Sequence, residues 1–323
     1  MQRSNMLALG ACALIGAGAG SVAAQSYPTK PIRLVVAASP GGTPDILARI
    51  LAPKLNEQLG QPIIVDNRPG ATGNIGAEVV AKAPRDGYTM MIASSVLAIS
   101  PAFYTKLRFS ATADLMPLTL VASQALFLFV QTSSPIRSVG DLIAAAKAKP
   151  GQVPYASFGT GSPQHVATEL FQIVAGIKLV HVPYKSGGLM TAALLSGEVQ
   201  TMFLGLSPAL PHVKSGRLRT IAMASAKRSP SAPDVPTFEE AGVPGVVVDN
   251  WFGMLTTTGT PRPVIERLHA EIVKAVHAPD VSGRIVQQGL DIVTQQPDQY
   301  SAFLTTEIAK WRKVVAAAGL QPL

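Results

Sequence analysis

The chain has 323 residues and a formal net charge of +8, with 47% hydrophobic and only 14% charged residues, a balance that excludes an intrinsically disordered chain. One cysteine excludes an intrachain disulfide, and five histidines in no ligand spacing indicate neither a metal site nor another cofactor. The basic residues are scattered and aromatic residues make up only 6% of the chain, so we expect no nucleic-acid partner.

The first 24 residues have the pattern of a secretory signal peptide. Arg3 precedes an uncharged apolar run over residues 6–20, and small residues lead up to Ala24. The run of about 15 residues is shorter than the roughly 20 that a membrane-spanning helix needs. We therefore predict a periplasmic protein cleaved near Ala24. A lipid anchor on Cys12, which follows a lipobox-like Leu-Gly-Ala, is the alternative.

Predicted strands and helices alternate from residue 32 onward. The first strand, residues 32–39, is continuously apolar and β-branched, which is typical of a strand buried on both faces. This alternation predicts βαβ units and parallel sheets. The other predicted strands cover residues 62–66, 88–93, 126–131, 153–157, 180–184, 199–204, 219–224 and 246–256. The predicted helices cover residues 44–59, 75–82, 139–149, 163–175, 187–196, 261–277 and 297–318.

The simplest architecture for this order is two α/β lobes joined by crossing strands. Each lobe is expected to contain a parallel or mixed sheet flanked by helices. Residues 25–125 plus 250–323 are predicted to form lobe 1, and residues 126–249 lobe 2. No later segment approaches a spanning length, so we expect the mature chain to be soluble.

Each lobe carries a glycine-containing loop of matching design. Residues 39–44 (SPGGTP) and residues 159–163 (GTGSP) each join a strand to a helix, with Thr43 or Ser162 as a hydroxyl cap followed by proline. Helix N-termini expose unpaired N–H groups and a partial positive charge, which favour anions. The glycine patterns of nucleotide-binding loops are absent. A cleft between two such loops would hold a small carboxylate from both sides.

A series of motifs runs in order along residues 27–320. The motifs include Gly41-Gly42-x-x-Asp45, Val65-Asp66-Asn67-Arg68-Pro69-Gly70, Gly73-Asn74-Ile75-Gly76, Asp86-Gly87-Tyr88-Thr89, His181-Val182-Pro183-Tyr184-Lys185 and Trp251-Phe252-Gly253. With these motifs the chain resembles the Bug-type receptors, which are the extracytoplasmic solute-binding proteins of tripartite tricarboxylate transporters. The resemblance implies a two-lobe, type II-like periplasmic binding protein fold with the ligand in the interlobe cleft.

The resemblance also implies the partners and the site. We expect a monomer that is not an enzyme and that delivers a small organic anion to the membrane permease subunits of the transporter; delivery to a sensor kinase is the alternative. The ligand is expected to be held by backbone N–H groups and hydroxyls. The implied ligand-binding residues are Ser39, Gly41, Gly42, Thr43, Ser94, Ser95, Ser157, Gly159, Thr160, Gly161, Ser162 and His165, with Tyr184 as a wall of the cleft.

Asp45, Phe158 and Leu204 are further candidates for the ligand site, and Asp45 and His165 each have a second interpretation. Asp45 at the start of its helix could complement the helix dipole instead, and His165 could be a surface residue of its helix. Many relatives have Phe-Asp-Asn where this chain has Phe-Leu-Gly at residues 203–205. Leu204 cannot accept a hydrogen bond and Phe158 is bulky, so we predict a carboxylate with an apolar or aromatic body, not an amino acid.

A serine hydrolase is the competing function from another class. Residues 205–209 (GLSPA) are one residue from the G-x-S-x-G nucleophile motif and follow a strand. Pro208 has no N–H to supply the oxyanion donor that this motif needs after the serine. Ser207 is predicted to cap a helix instead, so we disfavour an esterase.

Overall fold

Two five-stranded mixed sheets, each flanked by helices, form the two lobes. The computed structural model describes residues 27–230 and 232–320. The expected signal peptide, its cleavage near Ala24 and Cys12 lie outside the described residues. None of the described helices is long and apolar enough to cross a membrane.

The sheet of the first lobe has the strand order β2-β1-β3-β10-β4. Its central β1 pairs in parallel with β2 and β3, whereas β10 runs antiparallel to β3 and β4. As predicted, β1 is buried on both faces; Leu34, Val35 and Val36 are fully buried. The strands are β1 (Ile32–Val36), β2 (Ile63–Asn67), β3 (Thr89–Ser94), β4 (Leu115–Ala125) and β10 (Asp249–Thr257).

The sheet of the second lobe repeats this plan with the order β7-β6-β8-β5-β9. In this sheet β6 pairs in parallel with β7 and β8, whereas β5 runs antiparallel to its neighbours β8 and β9. We propose that the lobes divide after residues 125 and 249, and the two separate sheets support this division. The strands are β5 (Phe127–Gln131), β6 (Pro154–Ser157), β7 (Val180–Pro183), β8 (Thr201–Leu204) and β9 (Leu218–Met223).

The helices follow most of the predicted ranges. Three elements are missing from the predicted ranges: the helix α3, the strand β4 and the helix α9. The helix α3 contains Pro101, and α9 lies in a short segment between stronger helical patterns. The helices are α1 (Thr43–Leu59), α2 (Asn74–Ala81), α3 (Val96–Phe103), α4 (Val139–Ala148), α5 (Pro163–Ala175), α6 (Gly187–Ser196), α7 (Leu206–Lys214), α8 (Arg262–His277), α9 (Pro279–Gln287) and α10 (Pro297–Ala317).

The caps of two helices differ from the prediction. Thr43 is the first residue of α1 and not its cap; the cap is Gly42, which has no side chain to bond the helix. Ser207 likewise lies inside α7, and its Oγ donates to the Gln288 carbonyl at 2.7 Å. Ser162 caps α5 as predicted, through a bond from a backbone N–H to its side chain.

The largest hydrophobic core joins the two lobes. It contains side chains from both sheets, including Val35 of β1 and Leu128 of β5, together with Trp311 of α10. The helix α10 packs against α3 and β4 of the first lobe and against α5 of the second. The glycine loop of the second lobe thereby lies against α3: a Cβ added to Gly161 would be 3.3 Å from the Phe103 ring.

Candidate functional site

The first-lobe loop, residues 39–44, follows β1 and is closed by hydrogen bonds of its own. The Gly41 N–H donates to Asp45 Oδ2 at 2.9 Å, and the Gly42 N–H donates to the Ser39 carbonyl at 3.1 Å. Gly41 has a φ of 80°, which favours glycine. The two glycine N–H groups that sequence reasoning assigned to the ligand are therefore used inside the loop.

Asp45 organises this loop from the first turn of α1. Its buried carboxylate accepts from the Gly41 N–H, from Arg49 Nε at 3.0 Å and from Asn67 Nδ2 at 2.9 Å. Burial would raise the pKa of Asp45, but the hydrogen bonds from Arg49, Gly41 and Asn67 outweigh it and hold that pKa below its usual value. Because Arg49 matches its charge, Asp45 does not repel an anion at the helix end.

The unpaired donors of this loop are backbone groups of α1. Among the described residues, neither the Thr43 N–H nor the Asp45 N–H has an acceptor in the protein. Both belong to the first turn of α1, next to the carboxyl end of β1, and Ser39 is exposed beside them. An anion at the end of α1 would therefore meet free N–H groups and the positive end of the helix dipole.

Two serines at the end of β3, Ser94 and Ser95, differ in exposure. Ser95 is buried, and its Oγ donates to Asn250 Oδ1 at 2.8 Å, so this hydroxyl is committed to the contact between β10 and α3. Ser94 is half-buried and lines a cavity of about 20 Å³ with Pro44 and Asn74, enough for one water molecule. A larger groove of about 390 Å³, beside Tyr104, is lined by none of the predicted site residues.

The second-lobe loop, residues 157–163, is also closed from within. Ser157 is fully buried, and its Oγ accepts the Gly159 N–H at 2.9 Å. The Gly161 N–H donates to His165 Nδ1 at 3.3 Å. The Ser162 N–H donates to the Gly159 carbonyl at 3.1 Å, and its Oγ accepts the His165 N–H at 3.2 Å. The polar groups of these predicted site residues therefore hold the loop's shape.

The second loop also leaves two N–H groups without an acceptor, one in the loop before the helix cap and one in the first turn of the helix. Within the described residues, the Thr160 N–H and the Gln164 N–H have no acceptor. Thr160 is exposed at the tip of the loop, and Gln164 lies in the first turn of α5. As in the first lobe, free N–H groups meet the positive end of a helix.

His165 is neither a surface residue of its helix nor a charged group. Its side chain is only 2% exposed, and its ring lies 4.4 Å from the His181 ring and 6.1 Å from the Phe103 ring, centroid to centroid. Burial, helped by His181, lowers the pKa of His165 to about 3. The imidazole is therefore neutral near pH 7 and accepts a hydrogen bond instead of donating one to the cleft at Nδ1.

An apolar surface borders the second loop. Phe158 is 42% exposed, whereas Leu204 is only 3% exposed. A Cβ added to Gly187 would lie 3.6 Å from Phe158 Cζ and 3.7 Å from Leu204 Cδ1, so these three residues are neighbours. Tyr184 donates its hydroxyl to Glu198 Oε1 at 2.7 Å, and burial with that bond raises its pKa to about 12.

Sequence reasoning missed the residues that support the two loops from behind. Asn67 and His181 were visible only as members of motifs, and Asn250 and Phe103 gave no signal, since their partners come from distant parts of the chain. No group of three or more histidine, cysteine or carboxylate side chains that could hold a metal ion occurs in residues 27–230 and 232–320. The two loops instead leave neutral N–H donors unpaired.

Comparison with known sequences assigns a family. The model of the tripartite tricarboxylate transporter family receptor matches residues 47–320. Protein BugT of Bordetella pertussis is 36% identical over 322 residues, which cover 99% of this chain and 99% of that protein. A protein encoded in the tcbD–tcbE intergenic region of Pseudomonas sp. strain P51 is 37% identical over 291 residues, covering 90% of this chain and 87% of that protein.

Solved structures agree with this assignment. The R. palustris protein Rpa4515, solved with adipate, has a TM-score of 0.80 at 34% identity and covers 92% of this chain and 100% of its own. MatC of Rhodopseudomonas palustris, solved with malate, has a TM-score of 0.76 at 28% identity and covers 90% of this chain and 100% of its own. The periplasmic binding protein BugD has a TM-score of 0.78 at 27% identity and covers 92% of this chain and 100% of its own. The chain therefore belongs to the Bug-type receptors of the tripartite tricarboxylate transporter family, which are two-lobe periplasmic solute-binding proteins.

Proposed function

We propose that the mature protein is a periplasmic monomer that captures a small carboxylate between its lobes and presents it to the permease subunits of a tripartite tricarboxylate transporter. The observation that carries this proposal is the pair of helix N-termini with unpaired N–H groups. Thr43 and Asp45 offer two in the first lobe, and Thr160 and Gln164 offer two in the second. Such groups bind a carboxylate without a charged side chain.

We further propose that the ligand has an apolar body next to its carboxylate. Phe158 is an exposed apolar side chain beside the loop of the second lobe, and the buried Leu204 adjoins the same glycine, Gly187. Leu204 provides no acceptor for an ammonium group, so an amino acid would bury an unpaired charge there, at a large cost. Adipate, which the neighbour Rpa4515 holds, has two carboxylates joined by an apolar chain.

A binding screen on the mature protein tests this proposal. The protein is unfolded, freed of any co-purified ligand, refolded and titrated with adipate, benzoate, malate, citrate, aspartate and glutamate while its melting temperature is recorded. A ligand present at 100 times its Kd stabilises the folded state by about 2.7 kcal/mol. We expect the larger shifts with adipate or benzoate. Preferential binding of aspartate or glutamate would contradict the apolar body, and no shift with any acid would contradict the carboxylate.

The position of the ligand's body is tested with a pair of matched variants. Phe158→Ala removes exposed aromatic surface beside the proposed site and should raise the Kd of the acid that binds best about tenfold. Val286→Ala is the control, because Val286 is also a large exposed apolar residue but lies on α9 of the first lobe. Equal effects of the two substitutions would contradict a contact between Phe158 and the ligand.

A separate experiment tests the transport partner. A strain that lacks this receptor should lose uptake of the identified acid and regain it when the gene is restored. Uptake that continues while a transcriptional response to the acid disappears would contradict transport and support delivery to a sensor.

A further inference from the structure

A cluster of buried polar side chains lies behind the glycine loop of the second lobe. His165 of α5 and His181 of β7 are tilted against each other with ring centroids 4.4 Å apart. The Tyr155 ring of β6 stacks on His181 at 5.1 Å, and its hydroxyl donates to Glu169 Oε1 at 2.8 Å. No residue of this cluster except His165 was expected at the ligand site.

Each histidine controls one glycine N–H of the loop. His165 accepts the Gly161 N–H directly at Nδ1, so its own proton lies on Nε2, on the side of Glu169 Oε1 at 3.8 Å. His181 acts through Ser157, whose Oγ is hydrogen-bonded to His181 Nε2 and accepts the Gly159 N–H. Thr160 lies between the two tethered glycines. The direction of the Thr160 N–H is therefore set by two imidazoles that lie behind the loop.

We propose that His165 and His181 are paired positioning residues, which fix the loop over residues 159–161 so that the N–H groups of Thr160 and Gln164 point at the ligand. This inference rests on the proposed function for the ligand, but the tethering of the loop is a property of the ligand-free protein. Two contacts connect this part of the second lobe to the first lobe. The His165 ring faces Phe103 at 6.1 Å, and Gly161 packs against the same phenylalanine ring.

His165 has to be neutral for this arrangement to hold. A proton on His165 Nδ1 would place a second donor opposite the Gly161 N–H, so the hydrogen bond between them would be lost. Burial lowers the pKa of both histidines. The titratable groups around the pair are Glu169 on α5 and Tyr155 on β6; α3 contributes only the apolar ring of Phe103. Although α10 also packs on α5, none of its described charged groups shifts either imidazole.

The two ring nitrogens allow a crossed test with asparagine and glutamine. An asparagine oxygen lies near the position of Nδ1 in histidine, and a glutamine oxygen lies near the position of Nε2. His165→Asn should therefore preserve the acceptor for the Gly161 N–H, whereas His165→Gln should lose it. For the other residue the order reverses: His181→Gln should preserve the contact with Ser157, and His181→Asn should lose it.

The first measurement needs no ligand. NMR of the wild-type protein should show His165 with an unprotonated Nδ1, and amide hydrogen exchange should be followed at the two glycines. Losing one hydrogen bond should accelerate exchange at Gly161 about tenfold in His165→Gln and at Gly159 about tenfold in His181→Asn. The matched variants His165→Asn and His181→Gln should stay within about threefold of wild type. A proton on Nδ1 of wild-type His165 would overturn the proposal even if a variant fails to fold.

The second measurement uses adipate as the probe, with the Kd determined by calorimetry. The Kd should rise about tenfold in His165→Gln and His181→Asn and less than about threefold in their matched partners. His277→Gln is the control, because His277 is exposed at the end of α8. Equal losses in Asn and Gln at the same position would overturn the proposal. If wild type does not bind adipate, the exchange data still decide the tethering, and the failure belongs to the proposed ligand.

Discussion

The two glycine loops share a design but differ in what holds them. In the first lobe, a buried carboxylate, Asp45, accepts the glycine N–H, and its charge is balanced by Arg49. In the second lobe, the neutral imidazole of His165 accepts the corresponding N–H. The first loop is largely exposed, whereas the helix start of the second, at Ser162, is buried against the first lobe.

This difference shows that two loops can leave N–H donors unpaired although chemically different side chains hold the loops in place. Both loops leave N–H groups unpaired at or just before a helix start, although one loop is held by an ion pair and the other by neutral groups. A charge-balanced support tolerates exposure to water, since Arg49 itself is more than half exposed. A buried imidazole without such a charge balance has to be neutral, because desolvation penalises its charged form. The two loops should therefore respond differently to mutation and to pH.

The largest expected effect is the loss of the carboxylate in the first loop. Asp45→Ala leaves the Gly41 N–H without its acceptor and leaves Asn67 Nδ2 only the Ala38 carbonyl at 3.2 Å, and it should lower the free energy of unfolding by about 3 kcal/mol. Asp45→Asn keeps one acceptor oxygen and should lose less. Denaturant unfolding of both variants is the measurement. Equal losses of stability in the two variants would contradict the role of the Asp45 oxygens as hydrogen-bond acceptors in this loop.

The next effect compares the same substitution in the two loops. Gly41 and Gly161 have φ values of 80° and 77°, so alanine should cost each about 1 kcal/mol in backbone strain. A Cβ at Gly41 has nothing within 4 Å, whereas one at Gly161 would lie 3.3 Å from the Phe103 ring. Gly161→Ala should therefore cost about 2 kcal/mol in total, allowing for overpacking. Melting temperatures that fall equally in both variants would contradict the contact between this loop and α3.

The pH dependence of stability should separate the two supports. The folded-state pKa of His165 is about 3, below the ordinary value of 6.5, so the unfolded chain binds the proton first on acidification. The free energy of unfolding should fall as the pH drops below 6.5, by at most about 1.4 kcal/mol per pH unit for this histidine. The pKa of Asp45 is also lowered, so its stabilisation is present above about pH 4 and is lost below.

A matched variant assigns the pH effect to its residue. In His165→Asn, which cannot titrate, the slope of the unfolding free energy between pH 6.5 and 4.5 should decrease. The same slope in wild type and His165→Asn would mean that another group causes the acid sensitivity.

The sequence contained enough information for the lobes but not for the supports of the loops. Apolar runs and serine caps act within a few residues of the chain, so β1 and the cap of α5 could be predicted. The supporting contacts join distant segments: Asn250 meets a serine 155 positions away, and Ser157 meets a histidine 24 positions away. Local pattern carries no information about such pairs. For the same reason the sequence did not reveal that the glycine N–H groups predicted to bind the ligand have acceptors within the loops.

The smallest expected effect concerns the cap that only the second loop has. The Ser162 side chain caps α5, whereas Gly42 at the corresponding position of α1 has no side chain to do so. Ser162→Ala should lower the free energy of unfolding by about 1 kcal/mol. Ser138 caps α4 of the same lobe in the same way and is the matched control. Both variants should lose similar stability, but only Ser162→Ala should weaken the binding of the identified acid, because its cap helps to position the N–H groups of Thr160 and Gln164. Weaker binding in Ser138→Ala as well would show that affinity follows the stability of the lobe and not the geometry of this loop.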